Sequence, residues 1–232
     1  MSELLARGGE KSFRVRQMFN KIAKDYDFLN RWLSFGLDQY WRRRTIQSVR
    51  VGQGDIVVDL ACGTGDLCSL ASQAGATVLG LDFSRNMLVR AAEKQTPAVL
   101  VEGDANAIPV RNASLTVVVS GFALRNFVSI EGALSEIARV LASGGRLALL
   151  EVDAPTNPFL RLGHSIYFGR LVPFLGGLKS DPIAYNYLPQ SMSYLPSGPV
   201  LLELIRSAGF SSVNKTNLTG GVAQLITAVR SY

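Results

Sequence analysis

The chain has 232 residues and a mass of 25.1 kDa, with 47% hydrophobic and 18% charged residues, which excludes a disordered chain and predicts one domain carrying an appendage or insertion. Cys62, Cys68 and the single histidine His164 are too few for a disulfide framework or a zinc-type ligand cluster, and without a signal-like start or a long apolar run a cytoplasmic, reducing location and no metal are expected. The net charge of +6 sits wholly in residues 1–50, which hold eleven Lys/Arg against five Asp/Glu; such a segment fits nucleic acid, an anionic membrane surface, an acidic ligand or a solvated helix face.

The first fifty residues read as helical, with Val15, Met18, Phe19 and Ile22 at helix spacing and a second amphipathic stretch at Tyr40-WRRRTIQSV. From Asp55 the signals alternate. Asp55-IVVDLA is a buried strand, 66–74 a short helix, Ala76-TVLGLD a second strand, and Phe83–Gln95 a helix capped by Ser84. Ala98-VLVEGD and Leu115-TVVVSGF are strands three and four. Ile130–Leu141 is a helix that Gly144-Gly145 is expected to stop, and Arg146-LALLEVD is strand five. Residues 154–197 form an insertion rich in Pro, Gly and aromatics. Gly198–Gly209 then reads as a helix, and runs at 211–218 and 222–229 meet at Gly220-Gly221 as a hairpin. Alternating units with continuously apolar strands predict a parallel sheet covered by helices on both faces. A parallel sheet that finishes in an antiparallel pair has the order of a Rossmann-like methyltransferase. The chain is thus divided into an N-terminal helical lid (1–50), a core (51–153), the insertion (154–197) and a C-terminal helix and hairpin (198–232).

The strongest site signal is Asp59-LACGTGDL, where a buried strand runs into Gly63-Thr64-Gly65. Glycines here permit a sharp turn and close backbone approach, and the next helix offers free N–H groups. Cys68 stands where a dinucleotide fingerprint has its third glycine, which disfavours NAD or FAD, and no P-loop is present. Asp82, at the end of the second strand, can accept both hydroxyls of a ribose. Asp104, after the third, can accept from an exocyclic amine. Ligands of open α/β sheets bind beyond these strand ends, and the set fits an adenosyl group without pyrophosphate, as in S-adenosylmethionine.

With these features the sequence resembles the ubiquinone/menaquinone biosynthesis C-methyltransferase family over nearly its whole length. The resemblance rests on Met18-FNKIAKDYDFLNRWLSFGLDQYWRR, Val58-DLACGTGDL, Gly103-DANAIP, Phe122-ALRN, Arg139-VLASGGRLALLE and Tyr185-NYLPQS. It implies a class I S-adenosylmethionine-dependent fold, mainly parallel and seven-stranded, that methylates a ring carbon of a polyprenylated quinol, with demethylmenaquinol as acceptor and the corresponding benzoquinol as the alternative. By motif, Thr64, Asp82, Asp104 and Ala105 bind the cofactor, joined by Asp59, Gly63 and Gly65 of the loop. The family's serine at the start of SFGLRN is Gly121 here, and Ser120 faces the other side of the strand.

Arg125 and Asn126 of the LRN motif are expected beside the acceptor ring, with Arg125 stabilising the developing phenolate, because an arginine is too weak an acid to serve as a base. Asp25 and Asp27 around Tyr26 are the candidate bases, and Tyr185 and Tyr187 wall the quinone pocket. His164 reads as structural, and Cys62 as an apolar filler. The apolar insertion and the basic N-terminus are compatible with a peripheral membrane contact at the inner face or with a homodimer interface. A nucleic-acid methyltransferase is opposed by the missing (D/N)PP(Y/F) tetrad, so no nucleic-acid partner is expected, and a non-catalytic S-adenosylmethionine-binding scaffold is opposed by the intact LRN and YD motifs.

Overall fold

The computed structural model describes residues 9–155, 157–159, 161–162, 167, 187 and 191–232. Among the described residues three helices, α1 (Gly9–Ile22), α2 (Tyr26–Leu33) and α3 (Leu37–Ser48), precede the sheet. Then β1 (Ile56–Leu60), α4 (Asp66–Gln73), β2 (Thr77–Asp82), α5 (Arg85–Glu93), β3 (Val99–Glu102), β4 (Leu115–Gly121), α6 (Ile130–Val140) and β5 (Leu141–Val152) follow. The chain ends in α7 (Gly198–Ser207), β6 (Phe210–Leu218) and β7 (Ala223–Arg230). Among the described residues these strands make a seven-stranded sheet in the order β3-β2-β1-β4-β5-β7-β6. All pairings are parallel except those of β7, which runs antiparallel to both β5 and β6. The Rossmann-like order, the two-sided helix cover and the closing antiparallel pair agree with the sequence reading.

Successive residues of the central strands feed opposite faces, as a period of two demands. Val57 and Val119 pack with Trp41, Leu67 and Ala71 under α3 and α4, whereas Val58 and Val118 pack with Leu134, Ile137, Leu201 and Ile205 under α6 and α7. Each helix shows the local chemistry that starts it. Ser84, in an extended conformation, accepts from the Met87 N–H at the head of α5, and Ser129 accepts from the Gly132 N–H at the head of α6. Pro199 sits in the first turn of α7, where no N–H is needed. No helix among the described residues is long and apolar enough to cross a membrane.

One boundary differs from expectation. Gly144 and Gly145 do not stop α6. The helix ends at Val140, and Leu141 turns straight into an extended conformation (φ −72°, ψ 133°) to pair with Leu115. The two glycines fall within β5, where the register slips between the Leu115–Leu141 and Val117–Arg146 pairs, and Gly144 takes a φ of +75° in that bulge. Pairing with β4 overrides the glycine stop signal.

The N-terminal helices are tied across the carboxyl ends of the strands. Asn20 of α1 accepts from Ser84 Oγ at 2.8 Å and from the Asn86 N–H, while Asn86 donates back to the Asn20 carbonyl. Near the other end of α1, buried Lys11 donates to the carbonyls of Arg125 and Phe127 at 3.1 and 2.9 Å and lies over the Tyr194 ring. Burial lowers the Lys11 pKa. α1 therefore bridges from the head of α5, after β2, to the turn that follows β4. Most of the insertion, including His164 and Tyr185, lies outside the described residues.

Candidate active site

A cleft of about 660 Å³, its open mouth included, lies beyond the carboxyl ends of β1 to β4. Its floor is Ala61, Gly63, Asp82, Phe83, Gly103, Asp104, Ala105 and Gly121; its far wall is Phe122, Asn126, Phe127 and Val128; Ser12, Phe19 and Tyr26 close it from above. The roof is aromatic and interlocked, with Phe19 edge-on to Tyr26 at 6.0 Å and to Phe83 at 6.3 Å between ring centroids. The turn after β1 is tightly wound: Ala61, Gly63 and Gly65 all have positive φ, at 58°, 56° and 83°. At Gly63 and Gly65 the positive φ favours glycine, and Tyr26 Cε1 packs at ordinary contact distance, 4.0 Å, from where a Gly63 Cβ would sit.

Asp82 is the best-defined polar group of the cleft. One carboxylate oxygen accepts from the Gly63 N–H and the other from the Ser84 N–H, each at 2.8 Å, and the residue is 5% exposed. Burial pushes its pKa up to about 6 against the pull of those backbone donors. Asp104 stands at the cleft with its Oδ1 accepting from the Asn106 N–H, and Ala105 beside it is buried. Tyr26 faces the cleft, and burial raises its phenol pKa. Asn126 lines the far wall, and the buried Tyr187 hydroxyl donates to its Oδ1 at 2.8 Å.

Arg125, Asp25, Gly65, Asp59 and Thr64, all expected in the site, stand outside the lining of this cleft. Arg125 is not among the residues lining the cleft. Its guanidinium turns away to ion-pair with Glu151 of β5, and it also donates to Ser191 Oγ at 3.1 Å and the Phe122 carbonyl at 3.0 Å. Asp25 occupies the N-cap position of α2, exposed, with no side-chain cap bond. Gly65 faces Thr96 rather than the cleft, since a Cβ on it would lie 2.6 Å from Thr96 Oγ1. Asp59 and Thr64 line a second, smaller chamber of about 280 Å³ that shares Tyr26, Ala61, Gly63 and Gly121 with the cleft. Thr64 donates there to Asp27 Oδ1, which is why Asp27 is engaged and not free. Ser120 is buried and donates to the Leu60 carbonyl, consistent with its facing away. Cys62 and Cys68 are free thiols buried against Gly80, where a Cβ would come within 3.0 and 2.9 Å of their sulfurs.

Asp59 is 1% exposed. Its Oδ2 accepts from the Cys68 N–H at 3.1 Å and from the Cys68 thiol, while its Oδ1 has no partner. Burial raises its pKa to about 7. A carboxyl raised in the folded state binds a proton the unfolded chain has released, so stability falls as pH rises from about 4 to about 7. Asp59→Asn keeps an acceptor for Cys68 and removes that charge. The variant is expected to melt about 3–6 °C above the ligand-free parent at pH 8, on the order of 1–2 kcal/mol, with the advantage shrinking as pH falls from 7 towards 4. Thermal melts across that range check it, and a destabilised variant at pH 8 would contradict it.

Sequence reasoning missed Glu151, Arg42, Lys11 and Asp66. Glu151 carried a signal, as an acid inside an apolar strand run. Arg42 was hidden in the run Arg42–Arg44, of which only Arg43 and Arg44 are exposed.

The fold is shared with solved structures: a SAM dependent methyltransferase from Aquifex aeolicus superposes with a TM-score of 0.60 at 15% identity, covering 81% of this chain and 88% of that one. At the level of sequence the likeness is closer. A demethylmenaquinone methyltransferase of Thermus thermophilus is 42% identical over 215 residues, 90% of this chain and 97% of the relative. A ubiquinone/menaquinone biosynthesis C-methyltransferase of Syntrophotalea carbinolica is 37% identical over 223 residues, 94% of each chain. Residues 7–230 match the ubiE/COQ5 methyltransferase family, and the chain belongs to that family.

Proposed function

We propose that the chain is an S-adenosylmethionine-dependent C-methyltransferase of a polyprenylated quinol, with demethylmenaquinol as acceptor in menaquinone biosynthesis. The observation that carries the reading is the two-sided cleft, with carboxylates Asp82 and Asp104 on the floor and Phe122, Phe127 and Val128 on the far wall. The floor fits an adenosyl group. Asp82 is placed for ribose hydroxyls, Asp104 for the exocyclic amine, and Phe83, Met87 and Ala105 offer apolar contact to the base. The bound cofactor supplies an electrophilic methyl on a sulfonium, which leaves a neutral thioether.

The remaining work belongs to the chain. The apolar wall accepts a flat quinol ring and, with α1 and α2 as a lid, excludes water, which strengthens attraction between opposite charges. Asn126 is oriented by Tyr187, whose hydroxyl occupies the amide oxygen and leaves the amide N–H₂ as a donor to a phenolate. Tyr26 keeps its proton near neutrality, because burial raises its pKa, and so acts as a donor and not as a base. Arg125 acts behind Asn126, as a positioning residue that holds the turn. Asp25, exposed on the outer surface, has no support as the base. Trp32 near the end of α2 and Phe35 in the turn that follows it expose apolar rings, which supports a peripheral membrane contact for loading a lipid-soluble acceptor.

The test supplies methyl-deuterated S-adenosylmethionine with a reduced demethylnaphthoquinol and, separately, the matching benzoquinol, and follows the label by mass spectrometry. Label on the naphthoquinol ring is expected. Label on the benzoquinol alone would move the acceptor to the ubiquinone series, and label on neither would remove the substrate assignment.

A further inference from the structure

The buried residues of α1 are Lys11, Val15 and Ile22. Lys11 stands four residues before Val15, so the stripe that packs Val15 and Ile22 inward carries the lysine in with them. A buried charge is costly unless the protein supplies partners. Here they are the Arg125 and Phe127 carbonyls, at 3.1 and 2.9 Å, and the face of the Tyr194 ring, 4.1 Å from its centroid. Among the described residues no carboxylate pairs with Lys11. The ammonium is held by dipoles and a ring, and its positive charge stays uncancelled.

The two carbonyls flank Asn126. They lie at the carboxyl end of the short 3-10 turn Leu124–Asn126, which Phe127 ends, and the last carbonyls of a helical turn are the ones that lack internal partners. Two other contacts hold the same asparagine. Its N–H donates to the Ala123 carbonyl at 2.8 Å, and its Oδ1 accepts from the Tyr187 hydroxyl at 2.8 Å. Lys11 adds a hold from the N-terminal helices. Its neighbour Ser12 lines the roof of the cleft, and Asn126, Phe127 and Val128 line the far wall, so Lys11 is a joint between roof and wall.

We infer that Lys11 is a positioning residue for methyl transfer: it sets the Asn126 amide against the acceptor oxygen, and its uncancelled charge favours the phenolate that forms there. The inference rests on the quinol C-methyltransferase reading above. In a cleft closed to water, a fixed positive charge behind the amide attracts a phenolate far more strongly than it would in bulk solvent. The floor assigned to the adenosyl group, around Asp82 and Asp104, makes no contact with Lys11, so cofactor binding does not depend on it.

The test compares the parent full chain with Lys11→Met, Lys11→Gln and Lys11→Arg in three measurements. These are methyl transfer from saturating S-adenosylmethionine to reduced demethylnaphthoquinol, calorimetric binding of S-adenosylhomocysteine, and melting temperature. Lys11→Met is expected to lower kcat by about 10- to 100-fold, with KM for the acceptor and affinity for S-adenosylhomocysteine within about threefold of the parent. Lys11→Gln donates a hydrogen bond without a charge and should remain about tenfold or more below the parent, whereas Lys11→Arg keeps the charge and should recover to within about fivefold. A lysine that merely fastened α1 would change melting temperature and leave the kcat of the folded enzyme near that of the parent. That outcome, or a Gln variant as active as the Arg variant, would overturn the inference while leaving the quinol reading intact. Failure of all three variants to fold would confine Lys11 to stability and overturn it equally. If the parent itself methylates no quinol, the functional reading fails and this inference with it.

Discussion

Asp82→Ala should weaken binding of S-adenosylhomocysteine by a hundredfold or more while the protein still folds. Two hydrogen bonds from ribose hydroxyls to a carboxylate are worth about 1.5–3 kcal/mol each, together about two to four powers of ten in affinity. The same carboxylate shapes the loop, because it holds the Gly63 and Ser84 N–H groups at 2.8 Å. Its removal loosens the turn as well as the ribose contact. Asp82→Asn, which keeps one acceptor, should sit between. The pH dependence carries an independent signature. Burial raises the Asp82 pKa to about 6, and a ribose hydroxyl donates to the ionised form, so ligand binding must expel the proton below that pH. Affinity is therefore expected to fall as pH drops through 6, and this component should be missing from the Asn variant. Titration calorimetry between pH 5 and pH 8 tests both statements. An Ala variant within threefold of the parent would take the ribose away from Asp82.

That the same residue stood out in the sequence has a physical reason. An acid at the end of a strand as apolar as Thr77–Asp82 is expensive to bury without purpose, and the two-residue period fixes where it lies. The strands were legible because Val57, Val58 and Leu60 are covered on both faces and leave no polar alternation to confuse them. Orientation around a helix was harder to read. Asp25 and Tyr26 are neighbours in sequence, yet the packing of buried Leu29 on Ile22, Ala23 and Met87 leaves the acid outside and turns the tyrosine inward. Gly65 looked like a second cofactor glycine, because both roles demand a positive φ; only the tertiary neighbour Thr96 distinguishes them. Arg125 was misdirected for a related reason. Its partner Glu151 lies at the end of a different strand, and no local pattern links residues that meet only through the β4–β5 pairing.

Arg125→Ala is expected to lower the melting temperature by about 10 °C, and the loss should be relieved when Glu151 is replaced too. Both side chains are almost fully buried, at 6% and 1% exposure. Removing the arginine leaves the Glu151 carboxylate with only the Arg125 and Val152 backbone N–H groups, and breaking a buried pair in this way costs roughly 3–5 kcal/mol. For a chain of this size each kcal/mol is about 2–4 °C. Glu151→Ala should cost as much, since it strands a guanidinium bonded only to Ser191 Oγ and the Phe122 carbonyl. In Arg125→Met/Glu151→Leu no unpaired charge remains, so its loss should be smaller than either single loss, the sign a double-mutant cycle is built to detect. S-adenosylhomocysteine should still bind the Arg125 variant well below its melting point, because the guanidinium points to β5 and away from the cleft. Methyl transfer should nonetheless fall, because Asn126 loses the support that holds its turn against α1 and β5. Single losses below 1 kcal/mol that simply add in the pair would show that the Arg125–Glu151 bridge is not what holds the LRN turn. If binding collapsed together with turnover in Arg125→Ala, the arginine would have to be returned to the cleft.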